Sequence, residues 1–433
     1  MNDLDNDLVR RWERWYSSRP DYVRRMTERG GRYLFHIVEE VQRRDMPMEL
    51  ALLPFIESAF NPQALSTARA SGIWQFMPAT GKAFELKQNV FRDDRRDVME
   101  STRAALDYLQ MLHRMFGDWH LALAAYNWGQ GNVLKAVQRN ERSGRPAGYD
   151  DLRMPDETRN YVPKLQAIKN IVANPSAHGL ALTPLENHPF FLAVPIERDI
   201  DVGLVVRLSG MDDEDFRSLN PQLNKPVILA AGTPRVLLPY DAANRFVREL
   251  ARHNGPLASW TAWVAPATLK PSAAAARVGM TEAALREANR IPPGMLIRAG
   301  STLLVPRNAN VARDVDDRLA DSAQIALMRD APPAAARHVR IGPKGETAAS
   351  VARRHGVSVE QLARWNGVSP SATFKAGTLV SVKPAAAASR SGQKAQPPTA
   401  RATAQARGTK NKAAAQAKPR TQTTERAPAR SPT

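Results

Sequence analysis

"DVMESTRAALDYLQMLHRMFGDWHLALAAYNWG" (residues 97–129) decides the fold of the first third of the chain. Asp97 and Glu100 form a capping-box-like start. Ala105, Leu109, Leu112 and Phe116 then recur at helical spacing along one face. Gly117 breaks the run, Asp118 can cap a second helix, and that helix should stop near Gly129 and Gly131. Upstream, Leu8, Trp12 and Trp15 fall on one helical face, and Leu34, Ile37, Val38 and Val41 on another. Nothing before residue 175 alternates as a sheet would. The reading is an α-helical domain over residues 1–178.

The chain has 433 residues, enough for two to four domains, and its 43% hydrophobic content is that of globular protein. It contains no cysteine, which excludes disulfides and thiolate metal sites. The opening residues are charged and have no apolar core, so no signal peptide is expected. No apolar run is long enough for a transmembrane segment. The formal charge is +18, a sign of acidic partners. Half of that excess lies in residues 384–433, which hold ten Lys/Arg and one Glu. This Ala/Lys/Gln/Pro-rich stretch has no aromatic residue and reads as a disordered basic tail.

Beyond residue 184 a second grammar appears. Gly210, Gly279 and Gly356 each precede an asparagine by ten residues: Asn220, Asn289 and Asn366. An Ala-Gly pair follows, ending at Gly232, Gly300 and Gly377, and then a strand-like stretch: "PRVLLP", "STLLVP" and "GTLVSV". Three copies of one spacing indicate internal repeats. They are read as small α/β modules on a string, at 184–245, 258–307 and 338–383, with 308–337 as a linker carrying some helix.

The chemistry-bearing stretches lie in the helical domain: "ESAFNPQALS" (57–66), "ASGIWQFMPATG" (70–81), "AAYNWGQGN" (124–132) and "ETRNYVPK" (157–164). Aromatics beside amides suit a sugar cleft, where rings stack on pyranose faces and Asn, Gln and Tyr read hydroxyls. Taken alone, Glu57 reads as a solvated or capping glutamate, Ser66 as a turn residue, and Tyr126 and Asn127 as helix-end residues. Trp74, Trp119 and Trp128 read as core candidates. His113 and His120 belong to no metal-ligand motif and no phosphate loop follows a strand, so no metal or cofactor is expected.

In that order, the four stretches resemble the lytic transglycosylases of the goose-type-lysozyme-like fold, glycoside hydrolase family 23. The three repeats resemble LysM modules, which bind N-acetylglucosamine-containing glycans. The resemblance implies a multidomain protein: a lysozyme-like catalytic domain, then βααβ LysM-like modules. It implies Glu57 as the sole acid/base, with Ser66, Gln75, Met77, Tyr126, Asn127 and Tyr161 contacting the glycan or orienting the glutamate. It further implies cleavage of peptidoglycan strands between MurNAc and GlcNAc, without water, to a 1,6-anhydro end. A lysozyme-type hydrolase and a non-catalytic wall-binding protein are the alternatives. The implied partner is peptidoglycan in the periplasm or cell envelope. The tail is a possible contact for anionic wall polymer, and nucleic acid is not expected.

Overall fold

Residues 1–308, 313–330 and 337–382 are described by the structure, a computed structural model. The expected disordered tail therefore lies outside the described residues. Ten α-helices build the first domain: α1 (Asp7–Ser17), α2 (Pro20–Gly31), α3 (Leu34–Arg43), α4 (Leu53–Ser58), α5 (Pro78–Ala83), α6 (Val98–Phe116), α7 (Trp119–Trp128), α8 (Gln130–Arg142), α9 (Asp156–Arg159) and α10 (Tyr161–Ala173). Asp97 caps α6, its carboxylate accepting from Met99 N and Glu100 N. The capping box is only half made, because the Glu100 carboxylate turns to Arg235 (2.8 Å) and Arg103 (3.2 Å) instead. Asp118 caps α7 through Leu121 N, and Gly129 ends it at φ 92°. Gly131 is not part of that stop: α8 has already begun.

Ala105, Leu109 and Leu112 of α6 are fully buried, with Phe116 packed at the margin. In α7, Leu121–Ala125 are buried in succession, as in a helix enclosed on all sides. α1 closes over α10, where Trp12 Nε1 donates to Asn160 Oδ1 (2.8 Å) and the Lys164 ammonium sits over the Trp12 ring. This all-helical arrangement is the lysozyme-like fold expected from the sequence.

The repeats are βααβ units. The first pairs β1 (Phe191–Pro195) with β4 (Arg235–Pro239), around β2 (Ile200–Asp201), α11 (Val202–Ser209), α12 (Asp213–Leu219) and β3 (Val227–Ile228), and adds α13 (Tyr240–Arg252). The second pairs β5 (Trp260–Val264) with β7 (Thr302–Pro306), enclosing α14 (Pro271–Val278), α15 (Glu282–Asn289) and β6 (Met295–Ile297). The third, a separate compact unit, pairs Arg337–Arg340 with Leu379–Val382 around two helices.

The repeated asparagine is a clasp. Its amide N–H donates to the helix carbonyl four residues back and to a carbonyl of the closing strand, while its Oδ1 accepts from that same strand residue's N–H. The strand partner is Leu237 for Asn220, Leu304 for Asn289 and Ser381 for Asn366, at 2.7–2.9 Å. One side chain thus replaces a missing strand neighbour and satisfies two buried backbone groups. The glycine ten residues earlier adopts φ 71°, 70° and 64° in the three copies, ending the first helix in the left-handed region.

The expected string of modules gives way to a single compact unit, Met1–Asp330, holding the helical domain and the first two modules. Residues 313–330 of the expected linker are part of it. Asp317–Ser322 forms a helix whose Ala320 is buried, and Leu327–Arg329 pairs antiparallel with β6. Asp321 binds Arg92 (2.7 Å) and Lys87 (3.0 Å) of the helical domain. Alternation of small apolar and charged residues reads as linker until the surface it covers is known. Among the described residues, no helix is long and apolar enough to cross a membrane.

Candidate active site

Helix α4 begins with Pro54 in its first turn, a position that needs no N–H donor. It runs for six residues and delivers Glu57 at its end. Ala59 and Phe60 follow with φ 49° and 54°, two consecutive left-handed residues without glycine's freedom. Such backbone is costly and is held here by burial: Phe60 is fully enclosed and stacks on Tyr33. The reversal stops the helix directly behind Glu57.

Glu57 is half-buried. Desolvation pushes its carboxyl up to about 7, although the Tyr161 hydroxyl donates a hydrogen bond to Oε1 and favours the ionised form. Glu157 adds a like charge that raises it further, and Lys164 opposes. Tyr161 is buried at the head of α10, and its own hydroxyl is held far above the ordinary phenol range by burial and by Glu57. Tyr126, on α7, also feels the Glu57 charge, and its hydroxyl donates to Trp74 O (2.9 Å). Glu57, Tyr126 and Tyr161 are thereby gathered from three helices.

The loop between α4 and α5 is tied to this group by hydrogen bonds from Ser58 and Tyr126. Ser71 bridges Leu65 on one side and Phe76 on the other. Ile73 O accepts from Ser58 Oγ (3.0 Å), which ties the loop to the residue after Glu57. Gln75 sits at φ 50°, its amide donating to Gly72 O (2.8 Å). Met77 caps α5 and is exposed. Ser66 is further out along this loop, where its hydroxyl accepts from Ala70 N (2.9 Å) and closes its own turn. Asn127 accepts from Thr158 Oγ1 (2.8 Å) and donates weakly to Glu157 Oε1 (3.4 Å). Trp74 is core, its Nε1 donating to Thr102.

Sequence reasoning missed Arg95. Its guanidinium donates to Arg69 O (2.7 Å) and Phe76 O (3.2 Å), the two ends of the Gln75 loop. Asp93 holds it in a bidentate pair at 2.9 and 2.7 Å. Gly72, at φ 83°, lies so close that a Cβ there would meet Arg95 O at 2.0 Å. Glu157 was quoted within a motif but given no role. No spacing rule marks either residue, because the groups Arg95 ties together are backbone carbonyls and the groups Glu157 meets are distant in sequence.

Comparison with known proteins agrees with this architecture. The Transglycosylase SLT domain model matches residues 36–146; the Lytic transglycosylase MltD, LysM-like domain model matches 191–255; and the LysM domain model matches 272–306 and 344–383. Membrane-bound lytic murein transglycosylase D of Escherichia coli (strain K12) is 32% identical over 379 residues, spanning 84% of this chain and 80% of that protein. A protein of Alteromonas sp. (strain M-1) named for tributyltin chloride resistance is 38% identical over 166 residues, 38% of this chain and 78% of that one. Among solved structures, an inactive mutant of lytic transglycosylase Slt from Pseudomonas aeruginosa aligns over 32% of this chain and 24% of that one, at 25% identity and a TM-score of 0.27. On the extent of the first of these likenesses and the domain matches in order, the chain belongs to the family of membrane-bound lytic murein transglycosylase D, a lytic transglycosylase domain followed by LysM modules.

Proposed function

We propose that this lytic transglycosylase cleaves the β-1,4 bond between MurNAc and GlcNAc in peptidoglycan without consuming water, and that Glu57 is its one acid and base. The observation carrying this reading is the Glu57 carboxyl: desolvated, pushed up to about 7, and faced by the Tyr161 hydroxyl. A group titrating there is protonated often enough to give a proton and basic enough to take one back.

In the first step Glu57 protonates the bridging oxygen as its bond to C1 of MurNAc breaks. The leaving GlcNAc departs with a free hydroxyl, and the neighbouring acetamido oxygen bonds to C1. In the second step the Glu57 carboxylate takes the proton of the C6 hydroxyl. O6 attacks C1 and displaces the acetamido oxygen, closing the 1,6-anhydro ring. The attacker is already on the same ring, which supplies a large effective molarity. The Tyr161 hydroxyl stabilises the carboxylate between the two steps. Ser66, Gln75, Met77, Tyr126 and Asn127 line the cleft and read the glycan.

The modules at 184–245, 258–307 and 338–383 would hold the enzyme on its polymer, where linked weak sites gain avidity. The tail at 384–433 would lie on anionic wall polymer. The substrate places the protein in the periplasm or cell envelope. One observation favours a hydrolase instead. Glu157 acts electrostatically on Glu57 and could serve as the second carboxylate that water activation requires. Mass spectrometry of muropeptides released from purified sacculi separates the two. Anhydro ends from wild type and none from Glu57→Gln support the lyase, reducing ends support the hydrolase, and sacculus binding without any product overturns both.

A further inference from the structure

We propose that the first LysM-like module is a brace of the active-site loop and that Arg95 is the positioning residue through which it acts. The proposal rests on the activity proposed above for Glu57.

The connection is continuous. The module inserts residues 222–224 against the segment before α6: Asp93 N donates to Gln222 O (2.9 Å), and Asn224 N donates to Phe91 O (2.8 Å). The Asn224 side chain adds bonds to Asn89 O (3.1 Å) and from Arg96 (2.6 Å). The same Asp93 clamps Arg95, and Arg95 ties together Arg69 O and Phe76 O. Between those carbonyls lie Ile73 O, which holds Ser58 Oγ, and Trp74 O, which holds Tyr126. Ser58 and Tyr126 both border Glu57. The Gly72 backbone is pressed against Arg95 O with no room for a side chain, so the loop cannot shift without moving the 93–96 segment.

Each link fixes backbone already in sparsely populated conformations. Arg69 and Gln75 have φ 67° and 50°. Such a loop needs outside support to persist. The support is charged and fork-shaped at its centre, making four hydrogen bonds where a lysine has three donors on one nitrogen and no fork to pair a carboxylate bidentately. The module's 222–224 edge is spent on this contact within the chain.

The test uses the full-length chain and two variants. Asn224→Pro deletes the N–H that bonds Phe91 O and the side chain that meets Arg96. Arg95→Lys keeps the charge but loses the fork. Amide hydrogen exchange is followed for residues 69–77, with α6 amides as the control for folding. Cleavage kinetics are measured on a soluble glycan. The expectation is at least tenfold faster exchange across 69–77 in both variants with α6 unchanged. The accompanying kinetic expectation is a roughly tenfold or larger fall in kcat with KM within about twofold, the mark of lost positioning. Faster exchange at 222–224 with unaltered exchange at 69–77 and unaltered kcat overturns the brace. If wild type cleaves no glycan, the activity reading fails, while the exchange experiment still decides the brace.

Discussion

Replacing Glu57 by Gln should make the protein more stable, and increasingly so as pH rises. The carboxyl titrates at about 7 in the fold, against 4.5 for the unperturbed group. The folded state therefore holds its proton more tightly than the unfolded chain. Below about pH 4.5 both states are protonated and nothing is lost. Between there and about pH 7 the unfolded chain releases the proton first, so stability falls as pH rises. Linkage puts the loss near 0.8 kcal/mol at pH 5 and about 3 kcal/mol at pH 8. Glutamine cannot ionise, and its carbonyl can still accept from Tyr161, so the variant escapes this loss. The measurement is urea unfolding of both proteins at pH 5 and pH 8, followed by the far-UV helical signal. The variant's advantage should grow by about 2.5 kcal/mol between the two, which is roughly 1 M in midpoint at an ordinary denaturant slope. Asp94, also pushed up to about 7 by burial, is present in both proteins and cancels in the difference. A difference that stays flat, or that grows toward acid, would refute the desolvated carboxyl and with it the acid–base role built on it.

Two more outcomes follow from individual contacts. Tyr161→Phe removes the hydroxyl that favours ionised Glu57, so the alkaline limb of the rate profile should move to higher pH while kcat falls on the order of 10- to 100-fold; a profile unmoved on the pH axis would mean Tyr161 does not act through Glu57. Asn366→Ala leaves Ser381 N and O without their clasp, a loss of about 2–4 kcal/mol for two orphaned backbone groups, so the third module should unfold while cleavage of soluble glycan by the rest of the chain is retained; a module that melts as in wild type refutes the clasp.

The helical domain was legible because its signals are local. A cap, a face and a stop each sit within a few residues of one another, and α6 and α7 begin and end where Asp97, Asp118 and Gly129 place them. Glu57 was legible only through the order of four motifs, since a glutamate beside apolar residues has many uses. What makes it unusual is the Tyr161 hydroxyl more than a hundred residues away, and no local pattern reports that. Arg95 was invisible for a related reason. An arginine among acidic residues looks like surface charge, and carbonyl acceptors leave no trace in a sequence.

The repeats divide along the same line. What the three copies share is what each needs for itself: the glycine that ends a helix, and the asparagine that stands in for a strand. Where they differ, they face other parts of the chain. The glycine follows the asparagine by twelve positions in the first copy and by eleven in the others. The longer loop is the one that carries Gln222–Asn224 to the segment before α6, and 327–329 adds to the second copy a strand drawn from beyond its repeat. A shared spacing therefore predicts a core, and a departure from it marks a docking surface. On that reasoning the first module's divergence is the trace of its intramolecular contact, made inside the compact unit it shares with the helical domain.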